Sequence, residues 1–302
     1  MRGGALGDFI LTLPVLAALR GRFPTRTLEI LGYERVASLA VAGGLANRVA
    51  ALESPTLAGF FARNGAWPAA SAEYFAEFEL IISYVFDPEK IFQSNVARCS
   101  AAQFLAGPHR PDDSGKLQAT QVLLRPLEVL GINKADPRPR LVLPGPVILS
   151  PEPRLAVHTG SGSDRKNWPE PKWAEFLQKL AATTHWTFLL IGGEAEGERC
   201  QRVAATLPPD RVRLAQNLEL VELAQMMRSC AAFIGHDSGV THLAAALDLL
   251  GLVLWGPSNE AVWRPMSDRM KLVRDDRGLD ALPMETVFRE AQALGAEIDW
   301  NG

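Results

Sequence analysis

Cysteine is scarce in this 302-residue chain, with only Cys99, Cys200 and Cys230 present. They stand far apart without metal-ligand spacing, which argues against a zinc site or a disulfide framework and fits free thiols in a reducing compartment. Long apolar runs are also missing. Stretches such as Phe188–Ile191 and Leu249–Trp255 fall far short of the roughly 20 residues that a bilayer span requires. Asp8 interrupts the N-terminus before a signal peptide can develop, so a cytoplasmic location is expected. There is no basic excess: 31 Lys and Arg face 34 Asp and Glu, a net charge of −3, and this gives no electrostatic case for a nucleic-acid partner. Neither a G-x-G-x-x-G fingerprint nor a convincing DxD metal motif occurs. Asp112-Asp113 lies in a Pro-rich loop and reads as a capping or solvated pair.

What is present is a core-forming composition, 47% hydrophobic and 22% charged, in a length that suits about two domains. Apolar strands alternate with amphipathic helices, the pattern of parallel-sheet α/β domains. In the first half the pattern predicts a helix over 9–22 with Pro14 as an irregularity, strands at 27–32, 48–52 and 80–84, and helices over 35–42 and 118–130. Six prolines between Pro137 and Pro153 mark a linker, in which Leu141-Val142-Leu143 is a candidate short strand. Strands at 155–158, 186–191, 211–214, 231–234 and 252–255, with helices between them, predict a second unit. The expected architecture is two Rossmann-like domains with a cleft between them: 1–145, 146–285, and a C-terminal helix in 286–302 that crosses back to the first. One irregularity stands at the start. Gly3-Gly4-Ala5-Leu6-Gly7-Asp8 looks like a glycine turn that should follow a strand, yet that first strand is missing, and a trimmed or misassigned start is expected.

Four clusters carry possible chemistry. Asp8 opens a helix, where the dipole favours its carboxylate and lets it accept a proton; the plain alternative is an N-cap. His158-Thr159-Gly160-Ser161-Gly162-Ser163-Asp164-Arg165-Lys166-Asn167-Trp168-Pro169 follows a strand and offers backbone N–H groups, hydroxyls and the Lys166 cation to phosphate oxygens. Trp168 and Trp173 read as packing residues. Glu194, after the strand ending at Ile191, suits ribose hydroxyls or a helix N-terminus equally well. Gly235-His236-Asp237-Ser238-Gly239-Val240-Thr241-His242 runs from a buried strand into an Ala/Leu-rich helix, and aims free N–H groups at an anion such as a pyrophosphate. The ordinary alternative there is an N-cap at Asp237 or Ser238. Three of the clusters fall at carboxyl ends of strands in the second half, where open α/β sheets bind ligands.

Gly4-Ala5-Leu6-Gly7-Asp8 with Thr12-Leu13-Pro14, Lys166-Asn167-Trp168-Pro169, and Asp237 to Ala246 with Gly256-Pro257 and Trp263-Arg264-Pro265 resemble glycosyltransferase family 9, the ADP-heptose:lipopolysaccharide heptosyltransferases. The motifs occur in the family's order from the N-terminus to about residue 265; jointly they are specific, singly none is. The resemblance implies a GT-B fold and inverting, metal-independent transfer of a heptose-like sugar, without a cofactor, from a nucleotide diphosphate donor such as ADP-heptose. The implied acceptor is a lipopolysaccharide core or another cell-surface glycan. Asp8 would be the general base. Lys166, Ser161 and Gly162 would hold the diphosphate, Asp237, Ser238, Gly239 and His242 the diphosphate and sugar, and Glu194 and Leu218 the nucleoside. The family commonly has Asn where His236 stands.

Leu57-Ala58-Gly59-Phe60-Phe61-Ala62-Arg63 and Trp67 suit either core packing or a peripheral contact with the inner membrane surface. Two other functions remain open on sequence: a GT-B nucleotide-sugar epimerase, and a nucleotide-sugar-binding protein without transfer activity. A nicotinamide-dependent oxidoreductase is disfavoured by the poor fingerprint.

Overall fold

The computed structural model describes residues 1–148, 152–193 and 197–298. The chain divides into two compact units, one from Met1 to Pro137 and one from Arg138 onward.

The first unit begins with α1 (Leu6–Ile10), α2 (Leu13–Arg22), β1 (Glu29–Gly32), α3 (Glu34–Ala42) and β2 (Arg48–Ala51). It continues through α4 (Ala69–Ala76), β3 (Leu80–Ser83), α5 (Ile91–Ala97), β4 (Gln103–Ala106) and α6 (Ala119–Leu124). β1 pairs with β2 and β3 with β4, both in parallel. Met1 and Arg2 lie between the two pairs. Arg2 N–H donates to Leu31 O at 3.0 Å, and Tyr84 N–H donates to Met1 O at 3.0 Å. Arg2 thus forms a parallel bridge with Gly32, and the two residues before the glycine turn, where the sequence lacks a first strand, lie between the pairs.

Two expected helices are divided. The chain turns at Leu11–Thr12 between α1 and α2, because Pro14 is tolerated only in a helix's first turn; Thr12 Oγ1 donates to Asp8 O at 2.9 Å across the break. The predicted 118–130 helix becomes α6 followed by a tighter 3₁₀ stretch, Arg125–Leu130, which starts beside Pro126 and ends at the left-handed Gly131. Leu57 and Phe60 are buried with Phe75, Ile81 and Phe92, and Trp67 stacks on Phe60 with ring centroids 4.2 Å apart. Packing therefore accounts for most of the apolar stretch around Phe60, although Phe61 stays exposed.

The second unit contains β5 (Arg154–His158), α7 (Glu170–Thr183), β6 (Thr187–Gly192), α8 (Gly197–Ala204), β7 (Val212–Gln216) and α9 (Leu220–Met227). β8 (Ala232–His236), α10 (Gly239–Ala246), β9 (Leu250–Leu254), α11 (Glu260–Trp263), β10 (Met270–Val273) and α12 (Met284–Glu297) follow. The six strands form one parallel sheet in the order β10-β9-β8-β5-β6-β7. The chain builds outward from β5 to β7, crosses back, and builds outward again from β8. The reversal falls between β5 and β8, the position where open α/β sheets leave a crevice at the strands' carboxyl ends. Every residue of β8 is buried, as a central parallel strand requires. Register places Gly235 opposite His158, and a Cβ on Gly235 would stand 2.6 Å from the Phe233 ring. A larger residue there would force that ring to move.

The helical faces follow from spacing. Trp173, Phe176, Leu177 and Leu180 recur at helical period on α7, and Val287, Phe288, Ala291 and Leu294 do so on α12. Both sets enter one core with Trp168, Leu190, Ile234 and Leu254, so α12 is packed within the second unit. Leu141–Leu143 is not a strand. Leu141 N–H donates to Ala246 O, and the Arg228 guanidinium collects the carbonyls of Leu143, Pro144, Gly145 and Pro146. Pro144 and Pro146, just beyond it, lack an N–H, so a ladder could not be extended past Leu143. Among the described residues no helix is long and apolar enough to cross a membrane.

Trp173 is fully buried at the centre of this core. Trp173→Ala is expected to lower unfolding free energy by about 3–5 kcal/mol in urea denaturation, and a loss below about 1 kcal/mol would contradict its place there.

Candidate functional site

The loops leaving β5 and β8 at the reversal point carry the second unit's polar cluster. After β5 the chain runs irregularly from Thr159 to Pro169, with one 3₁₀ turn at Asp164–Lys166. After β8 it passes Asp237 and enters α10, whose N-cap is Ser238: its hydroxyl accepts the Thr241 N–H at 3.4 Å. Capping and an anion-ready helix start therefore coexist, since the cap satisfies one orphan donor and leaves the other first-turn N–H groups facing forward.

Lys166 Nζ donates to Asp237 Oδ2 at 2.6 Å. Ser258, in the loop after β9, donates its hydroxyl to the same oxygen. Asp237 is 7% exposed and Lys166 35%, so the carboxylate is buried with partners while the ammonium reaches solvent. A buried carboxylate needs such partners. The lysine keeps two further N–H donors for an incoming oxyanion. Ser258 was not singled out from sequence. The available signal was its place just after Gly256-Pro257, beyond the carboxyl end of the predicted 252–255 strand; that this strand pairs with β8 is seen only in the structure.

Two buried histidines stand behind this pair. His158 Nδ1 lies 3.2 Å from Ser238 Oγ, tying the end of β5 to the cap of α10. His236 Nε2 accepts the Trp168 N–H at 2.8 Å, and its Nδ1 lies 3.3 Å from Gly160 O. With Nε2 an acceptor, the ring proton sits on Nδ1 and is donated to that carbonyl. Burial holds the His158 imidazole down at about 4. Burial also depresses His236, to about 3, against the opposing Gly160 bond and with smaller help from His158 and Arg199. Both rings are therefore neutral at neutral pH.

The other expected ligands divide by accessibility. Ser161 Oγ donates within its own loop, with Ser163 O at 2.9 Å and Asn167 Oδ1 at 2.8 Å, so its hydroxyl shapes the loop. Gly162 is exposed and nothing lies within 4 Å of where its Cβ would be. Gly239 is the first residue of α10, and His242 is buried in its first turn. Leu218 is half-buried just beyond β7. Glu194 lies outside the described residues. Trp168 and Trp173 are core residues, and Trp168 Nε1 donates to Leu282 O at 3.0 Å. No group of three or more His, Cys, Asp or Glu side chains that could hold a metal ion occurs among the described residues.

In the first unit, Asp8 occupies the third position of α1. Its Oδ2 accepts the Ala5 N–H at 3.2 Å, and the Arg2 guanidinium stands 3.5 Å from Oδ1. Arg2 also donates to the Asp8 carbonyl at 3.0 Å and to His109 O at 2.6 Å. The turn before it needs Gly4 at φ +104°, because a Cβ there would meet Asp8 Oδ2 at 2.9 Å. The carboxylate remains about a third exposed, at 31%.

The profile of glycosyltransferase family 9 (heptosyltransferase) matches residues 131–289. Lipopolysaccharide heptosyltransferase 1 of Pseudomonas aeruginosa is 35% identical over 107 residues, 35% of this chain and 30% of that protein. Lipopolysaccharide heptosyltransferase 2 of Salmonella typhimurium is 25% identical over 167 residues, 54% of this chain and 48% of that protein. The aligned segments thus span about a third to a half of these relatives. Among solved structures, a family 9 glycosyltransferase from Veillonella parvula superposes with a TM-score of 0.78 at 19% identity, covering 97% of this chain and 95% of that one. The ADP-heptose lipopolysaccharide heptosyltransferase II of Escherichia coli gives 0.78 at 16% identity, covering 98% and 99%. The fold is GT-B, built of two Rossmann-like units. With more than half of its length matched by the family profile, the chain belongs to glycosyltransferase family 9.

Proposed function

We propose that this protein is an inverting, metal-independent glycosyltransferase that moves a heptose-like sugar from ADP-heptose to a lipopolysaccharide-core or similar cell-surface glycan acceptor, working in the cytoplasm at the inner membrane surface. The observation that carries the reading is the Lys166–Asp237 pair beside the N-terminus of α10, at the reversal point of the second sheet. Membership of the family supports the reaction class. An E. coli heptosyltransferase of the same fold was solved with ADP, which supports an adenine nucleotide as donor.

Inversion requires one displacement. Asp8 takes the proton of the acceptor hydroxyl as its oxygen attacks the anomeric carbon. The bond from that carbon to the diphosphate oxygen breaks, and the electron pair leaves with ADP. Negative charge grows on the leaving oxygens, so groups that bind it more strongly at the transition state lower the barrier. Lys166 and the first-turn N–H groups of Gly239 and Val240 suit that task. Asp237, held by Lys166 and Ser258, is placed to accept hydrogen bonds from sugar hydroxyls. Gly162 leaves room for the diphosphate to approach the loop backbone, His242 lies on the same helical turn, and Leu218 and Glu194 are assigned to the nucleoside.

Lys166→Ala is expected to weaken ADP-sugar binding or slow transfer on the order of 10²-fold, as for loss of a charge-assisted phosphate contact. A change below threefold would remove the assignment. Asp8→Asn keeps an acceptor for the Ala5 N–H but cannot take a proton. It is expected to lower kcat by about 10²–10⁴-fold with donor affinity, measured by calorimetry, nearly unchanged. Transfer that continues within tenfold of normal would exclude Asp8 as the base. Calorimetry with ADP, UDP and dTDP identifies the nucleotide, and binding of a donor that no acceptor ever discharges would favour a binding-only protein.

A further inference from the structure

His236 is wholly buried beside Asp237, and both of its ring nitrogens are engaged. One accepts the N–H of Trp168 and the other donates to the carbonyl of Gly160, so a single side chain holds both ends of the loop that carries Lys166. Asp237, the next residue, holds Lys166 itself at 2.6 Å. Two consecutive residues at the end of β8 thus contact the loop at three points. The loop has little regular structure of its own beyond the turn Asp164–Lys166, so these contacts do much to define its path.

The backbone that carries the imidazole is also held. The Thr241 hydroxyl donates to His236 O, and the Trp173 ring meets the imidazole edge-on with centroids 5.4 Å apart. A neutral imidazole is suited to the position because it offers one acceptor and one donor at opposite points of a rigid ring. Protonation would remove the acceptor that Trp168 uses.

We propose that His236 is a positioning residue of the donor site: its neutral ring pins both ends of the 160–168 loop to the end of β8 and so fixes where the Lys166 ammonium stands. The proposal rests on the reading of Lys166 as a diphosphate ligand.

The test uses the full chain and three variants. His236→Phe keeps a planar ring and removes both bonds, His236→Leu repeats the removal in a smaller side chain should the first fail to fold, and His236→Gln keeps an amide oxygen for the Trp168 N–H. Amide exchange followed by NMR reads the pin directly. Exchange at Trp168 is expected to rise by about tenfold or more in His236→Phe while β5 and β8 stay protected, and to be largely restored in His236→Gln. Calorimetry with ADP reads the consequence. Affinity is expected to fall by about tenfold in His236→Phe, but by less than about twofold when the same change is made in Lys166→Ala, because the group being positioned has gone.

Unchanged exchange at Trp168 overturns the pin, and full additivity of the two substitutions overturns the link to Lys166. If Lys166→Ala leaves both ADP affinity and the transfer rate unaltered, the diphosphate reading fails and takes the positioning role with it. Trp168 exchange then still shows whether the pin exists, so the two failures are told apart.

Discussion

The adjacency of β5 and β8 in one parallel sheet is the constraint on which the candidate donor site depends. These strands are separated by more than 70 residues of sequence, yet Leu155 to His158 lie in register with Ala232 to Gly235. That register puts the loop after His158 and the start of α10 side by side. It brings His158 to Ser238, His236 to Gly160 and Trp168, and Lys166 to Asp237. Gly235 makes it possible, since a side chain there would collide with Phe233.

The site has an outward charged layer and a neutral layer behind it. Lys166, Asp237 and Ser258 form the first, where the ammonium is partly solvated and can turn to a ligand oxygen. His158 and His236 form the second, kept uncharged by burial. Neutral rings at that depth add no charge to oppose the lysine. They satisfy backbone and hydroxyl groups that would otherwise be costly to bury. Trp173 packs edge-on against the His236 ring, and Trp168 packs against Trp173.

Much of this was legible in the sequence for a specific reason. Strand runs such as Ala232-Phe233-Ile234 and helical spacings such as Trp173, Phe176, Leu177 and Leu180 are local signals, and glycine-rich turns after strands mark where ligand loops begin. Strand order is not local. Nothing in the segment around Ser258 says that β9 lies beside β8, so its hydroxyl on Asp237 could not be read. The role of His236 was equally hidden, since it depends on an N–H and a carbonyl contributed from a distant loop. Leu141–Leu143 looked like a strand because its own residues permit one; a guanidinium from Arg228 decides otherwise. The divisions at Pro14 and Pro126 were marked by those residues, but an expectation of one helix through each gave too little weight to the ring.

The two-residue join at Met1–Arg2 has a different kind of consequence. The first unit's two strand pairs share few backbone hydrogen bonds, those through Met1 and Arg2, and are joined mainly by one apolar core that takes Leu31 and Ala50 from the first pair and Ile81 and Phe104 from the second. Arg2 sits on that seam, and its guanidinium also grips the carbonyls of Asp8 and His109. One residue thus contacts both β1, through its backbone, and the Asp8 carboxylate, through its guanidinium. In that unit the candidate base is tied to the seam by one arginine.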